Sequence, residues 1–175
     1  MNIARKDLLV KVFTVLLLTI LTAALEVSVL SSLPVFGVTP TLLFFIVAAV
    51  AVFEGPTAGS LCGLLAGIFM DGLGAKTLCW YTVASVGTAF LIGVLSPLYF
   101  RRRIPTAMLW GAVFWLLIEF CRFFFSFYVF SEAEFAVVFT VILPQTLYSL
   151  VLSPIVIAPI SHVHRKWAQE PGLFR

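Results

Sequence analysis

Four ionisable residues stand inside otherwise apolar runs: Glu26, Asp71, Glu119 and Arg122. Charges at membrane depth are costly, and they face a bundle interior or pair with one another, often at a functional site. Arg122 lies 18 residues beyond Ile104, about 27 Å along a helix in a hydrocarbon core of about 30 Å. That sets it towards the extracytoplasmic face, with Glu119 one turn deeper and Glu26 and Asp71 near the same face. Asp71 ends its helix, where the dipole disfavours an anion. A partner is therefore expected, and Arg122 is the candidate at matching depth. Glu119 and Arg122, three residues apart, could instead pair on their own helix, and Glu26 and Asp71 could reach interfacial water. Such a group can line an outward-opening polar pocket or hold helices together.

The remaining reactive residues point away from catalysis. His162 and His164 sit two apart at the inner interface without a carboxylate or cysteine near them in sequence. A basic, headgroup-facing tail accounts for them better than a metal site. Cys62, Cys79 and Cys121 are odd in number, lie in apolar runs and lack ligand spacing, so buried inert thiols are expected. Asp71-Gly72-Leu73-Gly74-Ala75-Lys76 is similar to the opening D-G-x-x-A-R of the CDP-alcohol phosphotransferases. The positions that should complete that metal site are Ser85, Ala89 and Gly93, so no carboxylate arrives. Walker, serine-triad and zinc motifs are absent. The expectation is a protein that is not an enzyme, with no cofactor and no metal.

Positioning these residues falls to helices in lipid. Of the 175 residues 62% are hydrophobic and 11% charged, with a mean hydropathy of +1.13, whereas soluble domains carry about 25% charged residues. The expected fold is all-α, a polytopic bundle in a single domain over residues 1–175. A net charge of +3 without a basic face gives no reason to expect nucleic-acid binding. About six spans are read, over residues 8–30, 41–53, 56–70, 78–100, 104–128 and 135–160. The first is longer than a signal-peptide core and lacks an A-x-A site, so it is expected to be retained. Thr39-Pro40 and Glu54-Gly55-Pro56 resemble helix starts. Spans two and three are short for a bilayer, so they are steeply set, form a re-entrant pair, or extend into protein-covered loops. Trp80, Tyr81 and Tyr99 fit aromatic belts, and Pro144, Pro154 and Pro159 predict a kink in the sixth span.

The chain is expected to be organised around residues 54–74, where Gly55, Gly59, Gly63 and Gly67 recur at every fourth position and the next step reaches Asp71. On a helix this makes one bare ridge, suited to close packing within the chain or against a partner. Orientation follows from charge. Of eleven Lys and Arg, nine lie on the side of the termini (Arg5, Lys6, Lys11, Arg101, Arg102, Arg103, Arg165, Lys166 and Arg175), while Lys76 lies opposite and Arg122 within a span. The positive-inside rule then makes both termini cytoplasmic, with the acidic loop of Glu132 and Glu134 outside.

Pro40 opening the second span, G-x-x-x-D at Gly67 to Asp71 and the pair Thr77-Leu78 together resemble the bacterial rod shape-determining protein MreD family. Motifs cover roughly residues 39–90; length and topology extend the likeness to the whole chain. One departure is Cys79, where the family tends to place glycine. The resemblance implies a non-enzymatic part of the machinery that inserts lateral-wall peptidoglycan, in the cytoplasmic (inner) membrane. It implies binding to MreC, a single-span coiled-coil protein, and through it links to MreB, RodA and the elongation transpeptidase. It also implies a fold distantly similar to energy-coupling-factor S-components. The alternative is therefore a vitamin-type S-component, with the Glu26, Asp71, Glu119 and Arg122 group in its pocket.

Overall fold

The computed structural model describes residues 2–28, 38–72, 79–99, 104–130 and 138–168. Among them the regular elements are helices: α1 (Asn2–Ser28), α2 (Leu43–Glu54), α3 (Pro56–Gly72), α4 (Trp80–Tyr99), α5 (Ile104–Phe130) and α6 (Leu143–Ala168). A π-helical turn, Val138–Ile142, leads into α6. Three helical stretches are long and apolar enough to cross a membrane, Trp80–Pro97, Ile104–Phe125 and Phe139–His164; Val12–Ser28 and Leu43–Glu54 are apolar but shorter. This is consistent with a membrane protein.

The centre of the fold is α2, where the sequence reading had put the glycine stretch. It touches each of the other five helices, and these close a ring around it in the order α1, α3, α4, α5, α6. Every residue from Leu43 to Phe53 is buried. LFFIVAAVAVF is apolar on every side, so it can be enclosed by other helices without burying a polar group. Its 12 residues rise about 18 Å, short of a bilayer core of about 30 Å. Enclosure removes the need to match that thickness. Val38, Pro40, Thr41 and Leu42, which lead into α2, are buried, and non-helical backbone is tolerated at depth where protein covers it.

A ring of five closes only around a thin centre, and Ala48, Ala49 and Ala51 supply one. A Cβ on Gly59 would lie 2.6 Å from the Ala51 Cβ, and one on Gly111 would lie 2.7 Å from the Phe45 ring. The α3–α4 seam is built alike. A Cβ on Gly63 would lie 2.7 Å from the Ser85 carbonyl oxygen, one on Gly67 would strike the Thr82 backbone, and Gly93 abuts Pro56. The Ser85 hydroxyl donates to the Gly63 carbonyl at 2.7 Å. The inward faces are thus rich in small and hydroxyl residues. Large apolar side chains such as Leu61, Val83, Phe90, Val151 and Ile155 point outward, the arrangement that close packing in lipid favours.

Two local readings are corrected. Gly55 is not on the ridge; it joins α2 to α3 with φ +98°, a conformation glycine adopts without steric cost. Thr39-Pro40 does not start α2, which begins at Leu43 behind an N-cap, Leu42, that makes no side-chain cap bond. In α6, Pro154 and Pro159 lie within one continuous helix. Pro154 cannot donate to the Leu150 carbonyl, and the Ser153 hydroxyl does so instead at 2.7 Å.

The seam yields a first prediction. Gly63→Leu is expected to lower the stability of the detergent-solubilised protein by about 1–3 kcal/mol through overpacking. Leu64→Ile, at a position 41% exposed, should leave the melting temperature nearly unchanged. Equal melting temperatures for the two variants would contradict the close seam.

Candidate functional site

The polar contacts gather at one end of the bundle. Glu26, near the end of α1, accepts from the backbone amides of Leu42 at 3.1 Å and Leu43 at 3.0 Å through Oε2. The central helix therefore receives from another helix the carboxylate cap that its own sequence lacks. Beside it the Thr41 amide donates to the Ser149 hydroxyl at 2.8 Å, and Gln145 Nε2 donates to the Thr41 hydroxyl at 2.8 Å. These bonds tie the approach to α2 onto α6.

Asp71 does not pair with Arg122. Its Oδ1 accepts from the Tyr81 amide at 3.2 Å, and its Oδ2 from the Thr82 amide and hydroxyl at 2.9 and 2.6 Å. An anion disfavoured at the end of α3 is thereby moved onto the positive start of α4. Both Glu26 and Asp71 bond backbone amides, which answers the alternative that they merely reach water.

Glu119 is 2% exposed. Its Oε2 accepts from Arg122 Nε at 3.0 Å and Nη2 at 2.6 Å, and its Oε1 from the Tyr81 hydroxyl at 2.8 Å. Of the two partners open to Arg122, the structure takes the one on its own helix. Tyr81, read as part of an interfacial belt, is 8% exposed and links Asp71 to Glu119. Its ring stacks on Trp115 with centroids 6.4 Å apart, and Phe44 of α2 lies 4.8 Å from Trp115. Through these rings the start of α2 joins the same cluster. Asp71, Glu119 and Arg122 are thus connected through Tyr81, while Glu26 works separately on α2.

At the opposite end, His164 is not alone: its Nδ1 lies 3.1 Å from Glu54 Oε1, with the Phe53 ring 5.5 Å away. Glu54 closes α2, and α3 begins at Pro56, as the Glu54-Gly55-Pro56 helix-start pattern leads one to expect. Cys62 is buried, with its Sγ 3.3 Å from the Thr19 hydroxyl, but Cys79 is exposed and Cys121 intermediate, so the expectation of three buried thiols fails. The glycines Gly59, Gly63 and Gly67 are all buried within the chain. Lys76, Arg101 to Arg103, Glu132 and Glu134 lie outside the described residues, as do the side chains of Arg5, Lys6, Lys11, Arg165, Lys166 and Tyr99.

No family model, curated protein or solved structure matches the chain. Its chemistry is read from its own contacts. Among the described residues no group of three metal-ligating side chains comes together. What the polar cluster does is fix helix ends: α2 through Glu26, and α4 through Asp71.

Sequence reasoning missed Tyr81, Trp115, Thr41, Gln145 and Ser149. Their partners are distant in sequence, and the available hint was that Tyr81, Ser85 and Ala89 follow one another at helical spacing on one face.

One backbone feature has energetic weight. Cys79 has φ +52°, a left-handed conformation that costs a non-glycine residue about 1–2 kcal/mol. Cys79→Gly is accordingly expected to raise stability by up to about 1 kcal/mol, since glycine's greater unfolded-state freedom offsets part of the relief. The check is the melting temperature beside that of Cys79→Ala; a fall with Gly would show that the turn does not require this conformation.

Proposed function

We propose that this chain is a non-enzymatic membrane scaffold of the cell-wall elongation machinery, resembling MreD and binding MreC. The observation that carries the reading is that all four intramembrane charges are engaged by the chain's own helices. Glu26 and Asp71 hold helix starts, and Glu119 and Arg122 hold each other. The surface left to act through is the apolar exterior, where close packing and shape decide association. Cys79 is a departure from the family's pattern, though one whose backbone conformation suits glycine. The position where the family tends to place glycine is the one whose backbone here has φ +52°.

In this reading six helices traverse the cytoplasmic membrane with both termini inside, α2 sheathed by its neighbours. Cysteine labelling in intact cells checks the orientation, on a background lacking Cys62, Cys79 and Cys121. A cysteine at Lys76 should label from outside and one at Arg102 should not; external labelling at Arg102 would overturn it.

The functional test is co-purification with MreC after co-expression, together with cell rounding on depletion. Phe124, 55% exposed on α5, is a suitable surface probe, and Phe124→Ala should reduce recovery of the partner. Gly59 is not a surface probe, because it is packed against Ala51.

The S-component reading draws support from one observation: the Trp115 indole Nε1 is buried without an acceptor, on a ring that stacks on Tyr81. Buried indoles usually find a partner, and a ligand could provide it. Purification with a bound vitamin and an ATP-driven module, without MreC, would decide for that alternative.

A further inference from the structure

Two helices of this bundle are short for a bilayer, and only one of them is shielded from it. Enclosure answers for α2, whose residues from Leu43 to Phe53 are all buried. The other, α3, stands in the ring, and its outer face carries Leu61, Leu64, Ile68 and Phe69, all exposed.

Both limits of that face are polar. At the start of α3, Thr57 is exposed. The Gly59 amide donates to the Gly55 carbonyl at 3.0 Å, so the amides of Thr57 and Ala58 precede the first intrahelical bond. At the other end stand Asp71, bonded to the start of α4, and the exposed Gly72. Thr57 and Asp71 are 14 residues apart, about 21 Å along the axis, and any tilt shortens this. A hydrocarbon core is about 30 Å thick. Immersing Thr57 in it would strand first-turn amides where no water can pair with them. On α6 the exposed face is longer: it runs from Phe139 through Leu147, Val151 and Ile155 to Ala158, 19 residues further on, about 28 Å.

We propose that the outer face of α3 is a membrane-thinning surface, fitted to hydrocarbon about 9 Å thinner than the surrounding bilayer, with lipid headgroups drawn in to Thr57. A short apolar stretch is met by thinning of the lipid or by snorkelling of flanking residues. Snorkelling takes long side chains, whereas Thr57 is short and Asp71 is fixed to the Thr82 hydroxyl at 2.6 Å. The effect is one-sided, because α6 presents a nearly full-length face. It rests only on the chain lying in a bilayer, whatever protein it binds.

Spin-label depth measurements test this, by power saturation with oxygen and with a nickel chelate in nanodiscs holding one copy of the chain. Single labels go on Thr57→Cys, Leu64→Cys and Gly72→Cys in α3 and on Ala158→Cys in α6, all at exposed positions. Cys79 and Cys121 are replaced by Ala, and Cys62, which is buried, is retained. In dioleoyl phosphatidylcholine and in the thinner dimyristoleoyl lipid alike, the labels at Thr57 and Gly72 should be accessible to nickel. Those at Leu64 and Ala158 should be accessible to oxygen and shielded from nickel. A Thr57 or Gly72 label that passes into hydrocarbon in the thicker lipid would overturn the thinning, since the helix would be immersed and the bilayer unadapted. Nickel access at Leu64 would overturn it too, by marking a water-filled cleft in place of lipid. An Ala158 label as open to nickel as that at Thr57 would overturn its confinement to the α3 side.

Discussion

Glu26→Ala is expected to be among the most damaging single substitutions in this chain, lowering stability by about 3 kcal/mol. The carboxylate accepts from two backbone amides at the start of α2, and hydrogen bonds to a charged group contribute about 1.5–3 kcal/mol each. The two bonds share one oxygen, so the sum is less than additive. Their loss leaves Leu42 and Leu43, both buried, with orphan donors in an apolar interior, where no water can replace the cap. Because α2 touches every other helix, a frayed first turn is felt throughout the ring. Glu26→Gln keeps an acceptor without the charge and should lose about half as much. Leu25→Ala, at an exposed neighbouring position, is the control. Thermal unfolding in a mild detergent makes the comparison, and an Ala variant as stable as the control would mean that α2 does not depend on this cap.

Arg122→Leu comes next, at about 2–3 kcal/mol. Removing one partner of a buried ion pair costs about 3–5 kcal/mol because the other charge is left uncompensated. The Arg122 side chain is 38% exposed while that of Glu119 is 3% exposed, so solvent screening reduces the figure. The Tyr81 hydroxyl remains as a donor to Glu119, but a neutral donor does not balance a carboxylate. Adding Glu119→Gln to Arg122→Leu removes the stranded charge and should recover more than half of the loss. Adding Asp71→Asn should give an additive loss, since Asp71 bonds the start of α4. A double-mutant cycle separates the two outcomes. Coupling of Arg122 to Asp71 as strong as that to Glu119 would overturn the pairing.

These variants probe what each level of description could reach. Six apolar helices and the charges that interrupt them are legible in the chain because hydropathy and Gly/Pro punctuation are local properties, although the sixth, read over 135–160, has its α-helix at Leu143–Ala168. The pairing of Glu119 with Arg122 was equally open to sequence, three residues apart on one helix. So was the close packing of Gly59, Gly63 and Gly67, which depends on helical spacing, although Gly55 at the same spacing serves as the joint between α2 and α3.

Only the tertiary structure decided which helix is central. In water an apolar face is an inward face, but in lipid both faces are apolar, and LFFIVAAVAVF reads the same whether lipid or protein surrounds it. The direction of burial is set instead by which helices approach closely enough for Ser85 to reach the Gly63 carbonyl. The partners of Glu26 and Asp71 were hidden for a related reason. A carboxylate seeking a cationic side chain leaves a charge pattern in the sequence, but these two are satisfied by backbone amides at the starts of other helices. Every residue but proline carries such an amide, so nothing in the letters marks Leu42, Leu43, Tyr81 or Thr82 as the ones that three-dimensional packing leaves without a partner of their own.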